Sequence, residues 1–128
     1  MRRLFEKDKR GQSLIEFALV LPILLLVLFG ITEFGRAILV KNVLHTASRE
    51  GARLAVVSPV GDSLSVKARV AEVLDAASID VYQISIMTDA GAKTVEVEVT
   101  TDFEVLASGI LGIQTIPLKG KTVMRYEG

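Results

Sequence analysis

The chain contains no cysteine, no tryptophan and one histidine among its 128 residues. Without cysteine it forms no disulfide bonds and offers no thiolate to a metal ion. Zinc and copper sites lack their usual ligands, because His45 stands alone on a polar face of a predicted helix, where a solvated side chain is expected. The sequence also has no glycine-rich phosphate loop, nucleophile motif or internal repeat. These absences predict that the protein is not an enzyme and binds neither a metal nor a cofactor.

The net charge is zero, but the charges are unevenly distributed. Residues 1–11 carry five basic side chains against two acidic ones, a net charge of +3. Residues 58–128 carry six basic and ten acidic side chains, a net charge of −4. Because the C-terminal segment has no excess of basic residues, the sequence predicts no nucleic-acid partner.

A membrane-length apolar stretch follows the basic leader. The fifteen residues from Phe17 to Ile31 carry no charge, and Leu14 and Ile15 extend the stretch to about 18 residues. That length is the lower limit for crossing a bilayer core of about 30 Å. We therefore predict one transmembrane segment at about residues 14–31. The basic residues before it predict a cytoplasmic N-terminus and export of the remainder.

The helical pattern continues beyond the membrane segment without a break signal until Pro59. We predict one helix from about residue 13 to residue 57, with an amphipathic second half. Its small residues Ser48, Gly51 and Ala52 predict close packing, either by the chain's own sheet or by a helix of a sister subunit. Pro22 removes one helical hydrogen bond, so it either kinks the helix and eases extraction from lipid or is merely tolerated.

The remaining residues have the pattern of a small α+β segment. Asp62 or Ser63 is predicted to cap a second helix, which carries an apolar stripe. Two alternating stretches near residues 82–86 and 95–103 predict a hairpin, and a last strand is predicted at about residues 118–126. The order of these elements indicates an α+β class.

Two features of this segment leave alternatives open. The predicted hairpin has one acidic, solvated face, on which weak calcium binding is the alternative; its acidic residues are Glu96, Glu98, Asp102 and Glu104. The apolar segment, residues 105–118, is predicted to be core or sheet edge. A surface that binds a partner is the alternative for it.

Motifs in the first half of the chain resemble known signals. The stretch Arg10-Gly11-Gln12-Ser13-Leu14-Ile15-Glu16-Phe17 resembles a class III (type IV prepilin) signal, which is cut after the glycine so that Glu16 becomes the fifth residue of the mature protein. Three further blocks, at residues 17–22, 30–37 and 47–53, resemble the N-terminal signature of the TadE-like family. Those proteins are the minor pilins (pseudopilins) of the Tad, or tight adherence, pilus system.

The position of Glu16 has two interpretations. A carboxylate inside an apolar stretch is costly, and it either reaches headgroup water near the cytoplasmic interface or pairs with a cation. Cleavage after Gly11 would create an α-amino group on Gln12, one helical turn from Glu16. Pairing with that amine, in the same or a neighbouring subunit, would set the axial register of helices leaving the bilayer.

The resemblance implies a pilin-like fold, in which a long N-terminal helix packs against a second short helix and a small antiparallel sheet. It divides the chain into a cytoplasmic prepilin leader (residues 1–11), the long helix (residues 12–57) and a small exported α+β segment (residues 58–128). It also implies a single-pass protein of the bacterial inner membrane, with its C-terminal segment in the periplasm, that can be incorporated into an extracellular pilus.

The resemblance further implies a function and partners. A prepilin peptidase would cut between Gly11 and Gln12, and Glu16 with Phe17 would serve assembly. The mature protein would contribute to biogenesis, initiation or the tip of a Tad-type adhesive pilus. The implied partners are the peptidase, other major and minor pilins through the N-terminal helix, the inner-membrane assembly platform and membrane lipid.

Two other functions remain open on the sequence. An uncleaved single-pass anchor would present a small periplasmic scaffold or ligand-binding domain. A secreted protein would be cleaved beyond about residue 35, but Glu16 interrupts its apolar core and no small-x-small cleavage site follows.

Overall fold

The computed structural model describes residues 2–59, 62–112 and 114–127 and has the predicted α+β architecture. The elements in chain order are α1 (Arg2–Val57), α2 (Ser63–Ala76), β1 (Gln83–Asp89), β2 (Thr94–Glu104), α3 (Ser108–Leu111) and β3 (Thr115–Arg125). The chain divides into two compact units, Met1–Gly35 and Arg36–Gly128. We call the second unit the head.

Helix α1 ends at Val57, as predicted, but it begins at Arg2 instead of near residue 13. Residues 1–11 are rich in arginine and lysine, which have good helix propensities, and they contain no proline. These residues therefore favour continuation of the helix toward the N-terminus. Its second half, from Arg36 onward, is part of the head.

The sheet of the head is antiparallel, with the order β1-β2-β3. Strands β1 and β2 form the predicted hairpin, in which Ile86 pairs with Val97. Asp89 closes its turn, because the carboxylate Oδ1 accepts hydrogen bonds from the backbone N–H groups of Gly91 at 2.9 Å and Ala92 at 3.1 Å. The third strand adds to the other edge of β2, so β2 is the central strand.

The core lies between one face of the sheet and the two long helices. Strand β2 alternates buried and partly exposed residues along almost its whole length. Helix α2 contributes a stripe at four-residue spacing, and α1 contributes small and apolar residues. The buried apolar residues of this cluster are Leu44, Ala47, Ala52, Val66, Val70, Leu74, Val95, Val97 and Val99.

Strand β3 lies alongside the head part of α1 and runs in the same direction. Three pairs of neighbours show this alignment: Arg36 and Phe103, His45 and Gly120, and Ser48 and Thr122. At the other end of the head, Ala55 and Tyr126 line the same cleft. Phe103 belongs to β2, but it pairs with Ile116 near the start of β3 and therefore marks that end of the strand. The connection between β2 and β3 therefore lies at the end of the head at which α1 enters it.

This connection differs from the prediction. Strand β3 begins at Thr115, not near residue 118, and includes Pro117. Proline is compatible with an edge strand because its missing N–H is not needed on the open side. The short helix α3 was not predicted; it ends at Leu111 and is capped by Gly112, which has a left-handed conformation with φ of 69°.

Candidate processing and assembly segment

Gly11 lies inside α1, immediately before the bond at which cleavage is predicted. A Cβ atom built on it would meet nothing within 4 Å. Packing within this chain therefore gives no reason for a glycine here. Because glycine costs a helix interior about 1 kcal/mol relative to alanine, it weakens α1 next to the predicted cleavage site.

Gln12 and Glu16 face each other across one turn of α1. The Gln12 side-chain amide donates to Glu16 Oε1 at 3.4 Å, which is long for a hydrogen bond. Both side chains are exposed, and so are the neighbouring Leu14, Ile15 and Phe17. The helix thus presents a carboxylate within an apolar surface and keeps residue 12 within its reach.

The apolar stretch of α1 is exposed in this chain. Among the described residues, α1 is the one helix long and apolar enough to cross a membrane, and its most apolar part is not buried inside the protein. The helix continues through Pro22, so the kink stays a prediction. An exposed apolar surface of this length needs a covering of lipid or of other apolar helices. It is a candidate membrane span, as expected for a membrane-anchored protein.

The small residues Ser48, Gly51 and Ala52 lie in the head and are buried. Ser48 Oγ donates to the carbonyl oxygen of His45 at 2.8 Å and shares a second hydrogen bond with Thr122 Oγ1 at 2.7 Å. A Cβ atom on Gly51 would lie 2.5 Å from a methyl carbon of Val70 in α2. The small residues of α1 were predicted to pack either within the chain or against a helix of a sister subunit. In the structure they pack within the chain.

The acidic side chains of β2 lie on the outer face of the sheet, as predicted for the hairpin, and β3 adds basic side chains to that face. Strand β3 places Lys121 opposite Glu98, and Lys121 Nζ lies 3.2 Å from Glu96 Oε1. The prediction considered only the hairpin and missed the basic residues that the third strand adds. Across residues 2–59, 62–112 and 114–127 no group of three or more histidine or acidic side chains is placed to hold a metal ion. His45 is exposed, as expected.

The apolar segment is only partly buried. Val105 belongs to the core, and Ile116 lies on the edge strand β3, in agreement with the prediction of core or sheet edge. For Leu106 and Ile110 that prediction is wrong, because their side chains are 69% and 74% exposed. Ile113 lies outside the described residues.

Three contacts in the head had no clear sequence signal. The guanidinium carbon of Arg36 lies 5.0 Å from the centroid of the Phe103 ring, a cation–π distance. Arg69 of α2 lies 2.9 Å from Glu72 and 3.4 Å from Glu50 of α1. The hydrogen bond to Glu72 raises the pKa of Arg69 above its usual value. Gly120 allows the backbones of β3 and α1 to approach closely, since a Cβ atom there would lie 2.6 Å from the backbone nitrogen of His45.

A half-open cleft of about 240 Å³ lies at the opposite end of the head from Arg36. The end of α1, the start of α2 and the inner face of the sheet surround it, and its apolar lining includes Ala55, Val66 and Tyr126. Sites for drug-sized ligands usually have volumes of about 300–1,000 Å³. The cleft is therefore small for a ligand-binding site.

Comparison with known families gives one match. The family model described as TadE-like protein matches residues 11–53, about a third of the chain. Comparisons with curated proteins and with solved structures give no significant match. The matched residues begin at Gly11 and include Glu16, the apolar stretch and the small residues Ser48, Gly51 and Ala52 of the head. The match confirms the resemblance that the motifs predicted, and it is consistent with a TadE-like protein of the Tad pilus system.

Proposed function

We propose that the protein is a minor pilin (pseudopilin) that contributes to the biogenesis, initiation or tip of a Tad-type adhesive pilus. The observation that carries the proposal is the TadE-like match, which begins at Gly11 and covers the candidate membrane span. The exposed apolar part of α1 supports it, because a helix bundle in a fibre and a lipid bilayer both cover such a surface. The protein acts as a structural subunit, not as an enzyme, and needs no cofactor.

Maturation is proposed to be hydrolysis of the peptide bond between Gly11 and Gln12 by a prepilin peptidase. The bond lies within α1, so the helix must open locally before a protease can reach it. A glycine at this point lowers the cost of opening by about 1 kcal/mol relative to alanine. Removal of residues 1–11 also removes the basic leader and leaves Gln12 with a free α-amino group.

Glu16 is proposed to pair with this new amino group. The contact between the side chains of Gln12 and Glu16 shows that one helical turn brings these residues together. Opposite unit charges 4 Å apart attract by about 4 kcal/mol at the effective dielectric constant near a protein surface, and more strongly away from water. A pair formed with a neighbouring subunit would hold adjacent helices at one axial position.

The proposed location is the bacterial inner membrane, with one membrane pass at about residues 14–31. The basic leader favours a cytoplasmic N-terminus, and the head then lies in the periplasm. The proposed partners are the peptidase, other pilins that pack along α1, the inner-membrane assembly platform and lipid. Nucleic acid is not among them, since the C-terminal segment has a net negative charge.

An uncleaved membrane anchor with a small scaffold or ligand-binding domain is the second candidate. The cleft beside Tyr126 is the observation that favours it, but the small volume of the cleft is a weak argument for a ligand. In that case the bond between Gly11 and Gln12 stays intact and the protein stays in the membrane.

Intact mass of the protein purified from membranes, with and without a co-expressed prepilin peptidase, tests the proposal. We expect a peptidase-dependent loss of residues 1–11. Mass is preferable to stepwise N-terminal sequencing, because an N-terminal glutamine cyclises and blocks that chemistry. An unprocessed chain in the presence of active peptidase would overturn the proposal and favour the uncleaved anchor.

A further inference from the structure

The apolar segment is the longest uncharged stretch of the head. From Val105 to Leu118 it contains no acidic or basic residue, and Glu104 and Lys119 flank it with opposite charges. Within this segment, the short helix α3 lies between the end of β2 and the start of β3. An uncharged stretch of fourteen residues is unusual on the surface of a small soluble domain.

Three large apolar side chains of this segment are exposed to solvent in the structure. Leu106 is 69% exposed, Ile110 is 74% exposed and Ile116 is 42% exposed. Val105 is buried, and it fixes the base of the segment to the core. The three exposed side chains therefore form an apolar projection on a well-packed support.

The position of this projection is restricted by the chain itself. Ile31, the last residue of the predicted span, precedes Arg36 by five residues, and even a fully extended chain of five residues reaches no more than about 18 Å. Arg36 in turn lies against Phe103, two residues before the apolar segment. The opposite end of the head, at Ala55, is about 28 Å farther along α1.

We propose that the exposed part of the apolar segment inserts into the headgroup and acyl-chain boundary of the bilayer that α1 spans, on its periplasmic side. The inference rests on the membrane span of the proposed function. Apolar side chains that bind at a membrane interface enter it by about 5–10 Å, within reach of a projection tethered this closely. The head would then have two attachments to the bilayer, α1 and the apolar segment.

Lipid fits this surface better than a protein partner does. Protein interfaces usually surround an apolar centre with a polar rim that makes hydrogen bonds, whereas this segment carries no charge over its length. The flanking Glu104 and Lys119 cancel, so we expect insertion to occur in zwitterionic lipid and to depend little on salt.

Single cysteines in the full chain test the inference, because the natural sequence contains none. The variant Ile110→Cys carries an environment-sensitive fluorophore at the apolar segment. Leu64→Cys places the same label at an exposed apolar position of α2 near the opposite end of the head, and Leu25→Cys places it inside the predicted span. Each labelled protein is reconstituted in zwitterionic phosphatidylcholine vesicles with and without spin-labelled lipid, which quenches from within the bilayer.

We expect quenching by lipid and a shift of the emission to shorter wavelength for Ile110→Cys, and neither for Leu64→Cys. If the label at residue 110 is open to aqueous iodide and is not quenched by lipid, the inference is wrong. Protection from both quenchers would also overturn it, since the segment would then be covered by protein. Leu25→Cys distinguishes failure of this inference from failure of the proposed membrane span. If spin-labelled lipid does not quench the label at residue 25, the membrane span itself is wrong.

The double variant Leu106→Ser/Ile110→Ser provides a second measurement that does not depend on a label at the site. It changes only exposed side chains, so the head should fold as before. With a fluorophore at Thr115→Cys, an exposed position of β3 in the same segment, we expect lipid quenching to fall strongly relative to the chain without the serines. Unchanged quenching would count against insertion through these side chains.

Discussion

Ser48 Oγ and Thr122 Oγ1 lie 2.7 Å apart and join α1 to β3 across 74 residues of sequence. Ser48 is buried, and its hydroxyl also donates to the carbonyl oxygen of His45. A polar pair at this position fixes how α1 lies along β3, which apolar contacts alone do less specifically.

Replacing Ser48 by alanine should lower the free energy of unfolding of the head by about 1–2 kcal/mol, because Thr122 loses its partner in a partly buried position. Tyr82 and Tyr126 both lie in the head and the chain has no tryptophan, so tyrosine fluorescence during urea unfolding reports on the head. The control is Thr46→Ala, which removes a similar hydrogen bond to the Asn42 carbonyl at an exposed site and should cost less than about 0.5 kcal/mol. Equal losses would show that the pair with Thr122 contributes little.

Replacing Gly120 by alanine should destabilise the head more than any ordinary overpacking, by about 3 kcal/mol or more. The added Cβ would overlap the backbone of α1 at Leu44 and His45, which cannot rotate away. Gly51→Ala should cost less, since its Cβ meets the side chain of Val70. Gly109→Ala is the matched control, because a Cβ atom added there would have no neighbour within 4 Å. The urea midpoint should be lowest for Gly120→Ala, higher for Gly51→Ala and highest for Gly109→Ala. An unchanged midpoint for Gly120→Ala would contradict the close approach of β3 to α1.

Replacing Ser78 by glycine should stabilise the head by about 1 kcal/mol. Ser78 has φ of 59°, a left-handed conformation that is costly for residues with a Cβ atom. It follows α2 in a Schellman arrangement, in which Ile79 N–H donates to the Leu74 carbonyl at 3.0 Å. Ser78→Ala, which keeps the cost, should give no gain in thermal midpoint. A lower midpoint for Ser78→Gly would refute the expectation.

The cap of α2 should make the stability of the head depend on pH under acid conditions. The hydrogen bonds from the Ser65 hydroxyl and backbone N–H lower the pKa of Asp62 below its usual value. Asp62 therefore binds a proton more tightly in the unfolded chain than in the folded protein. Its ionised carboxylate contributes fully to stability above the pKa of the unfolded state, and this stabilisation is lost as the pH falls through the pKa of the folded state. Asp62→Asn keeps a capping acceptor without the titration. The difference in unfolding free energy between the two proteins should shrink below about pH 4, and a constant difference would contradict the assignment.

Replacing Glu16 by alanine or glutamine should impair fibre assembly while membrane insertion and cleavage remain largely intact. Both variants remove the charge that is proposed to pair with the Gln12 amine, and Glu16→Asp retains it. Yield of sheared fibres measures assembly, and intact mass measures cleavage. Equal fibre yield from the alanine variant would count strongly against the role of Glu16 in register.

The long elements of this fold could be predicted because their patterns are local. The stripe of Val66, Val70 and Leu74 has helical spacing, and Val95, Val97 and Val99 alternate along β2; these periods reflect which face each element buries. The TadE-like resemblance was equally accessible, because its motifs lie in one continuous stretch.

What the sequence did not show depends on contacts between distant parts of the chain. The basic residues of β3 change the outer face of the sheet only because β3 pairs with β2. The exposure of Leu106 and Ile110 could not be read from their hydrophobicity, which predicts burial for an ordinary domain. The close approach at Gly120 likewise exists only after α1 and β3 have come together.

The pairing of α1 with the final strand has a consequence for the order of folding. A chain that is synthesised from its N-terminus presents the buried face of α1 long before β3 emerges. The contact between Ser48 and Thr122 closes a loop of 74 residues, so it forms late and slowly compared with the hairpin. Until β3 has been synthesised, α1 has no third strand to cover it, and a chain that stalls short of Thr122 leaves that face open to chaperones, proteases or another subunit.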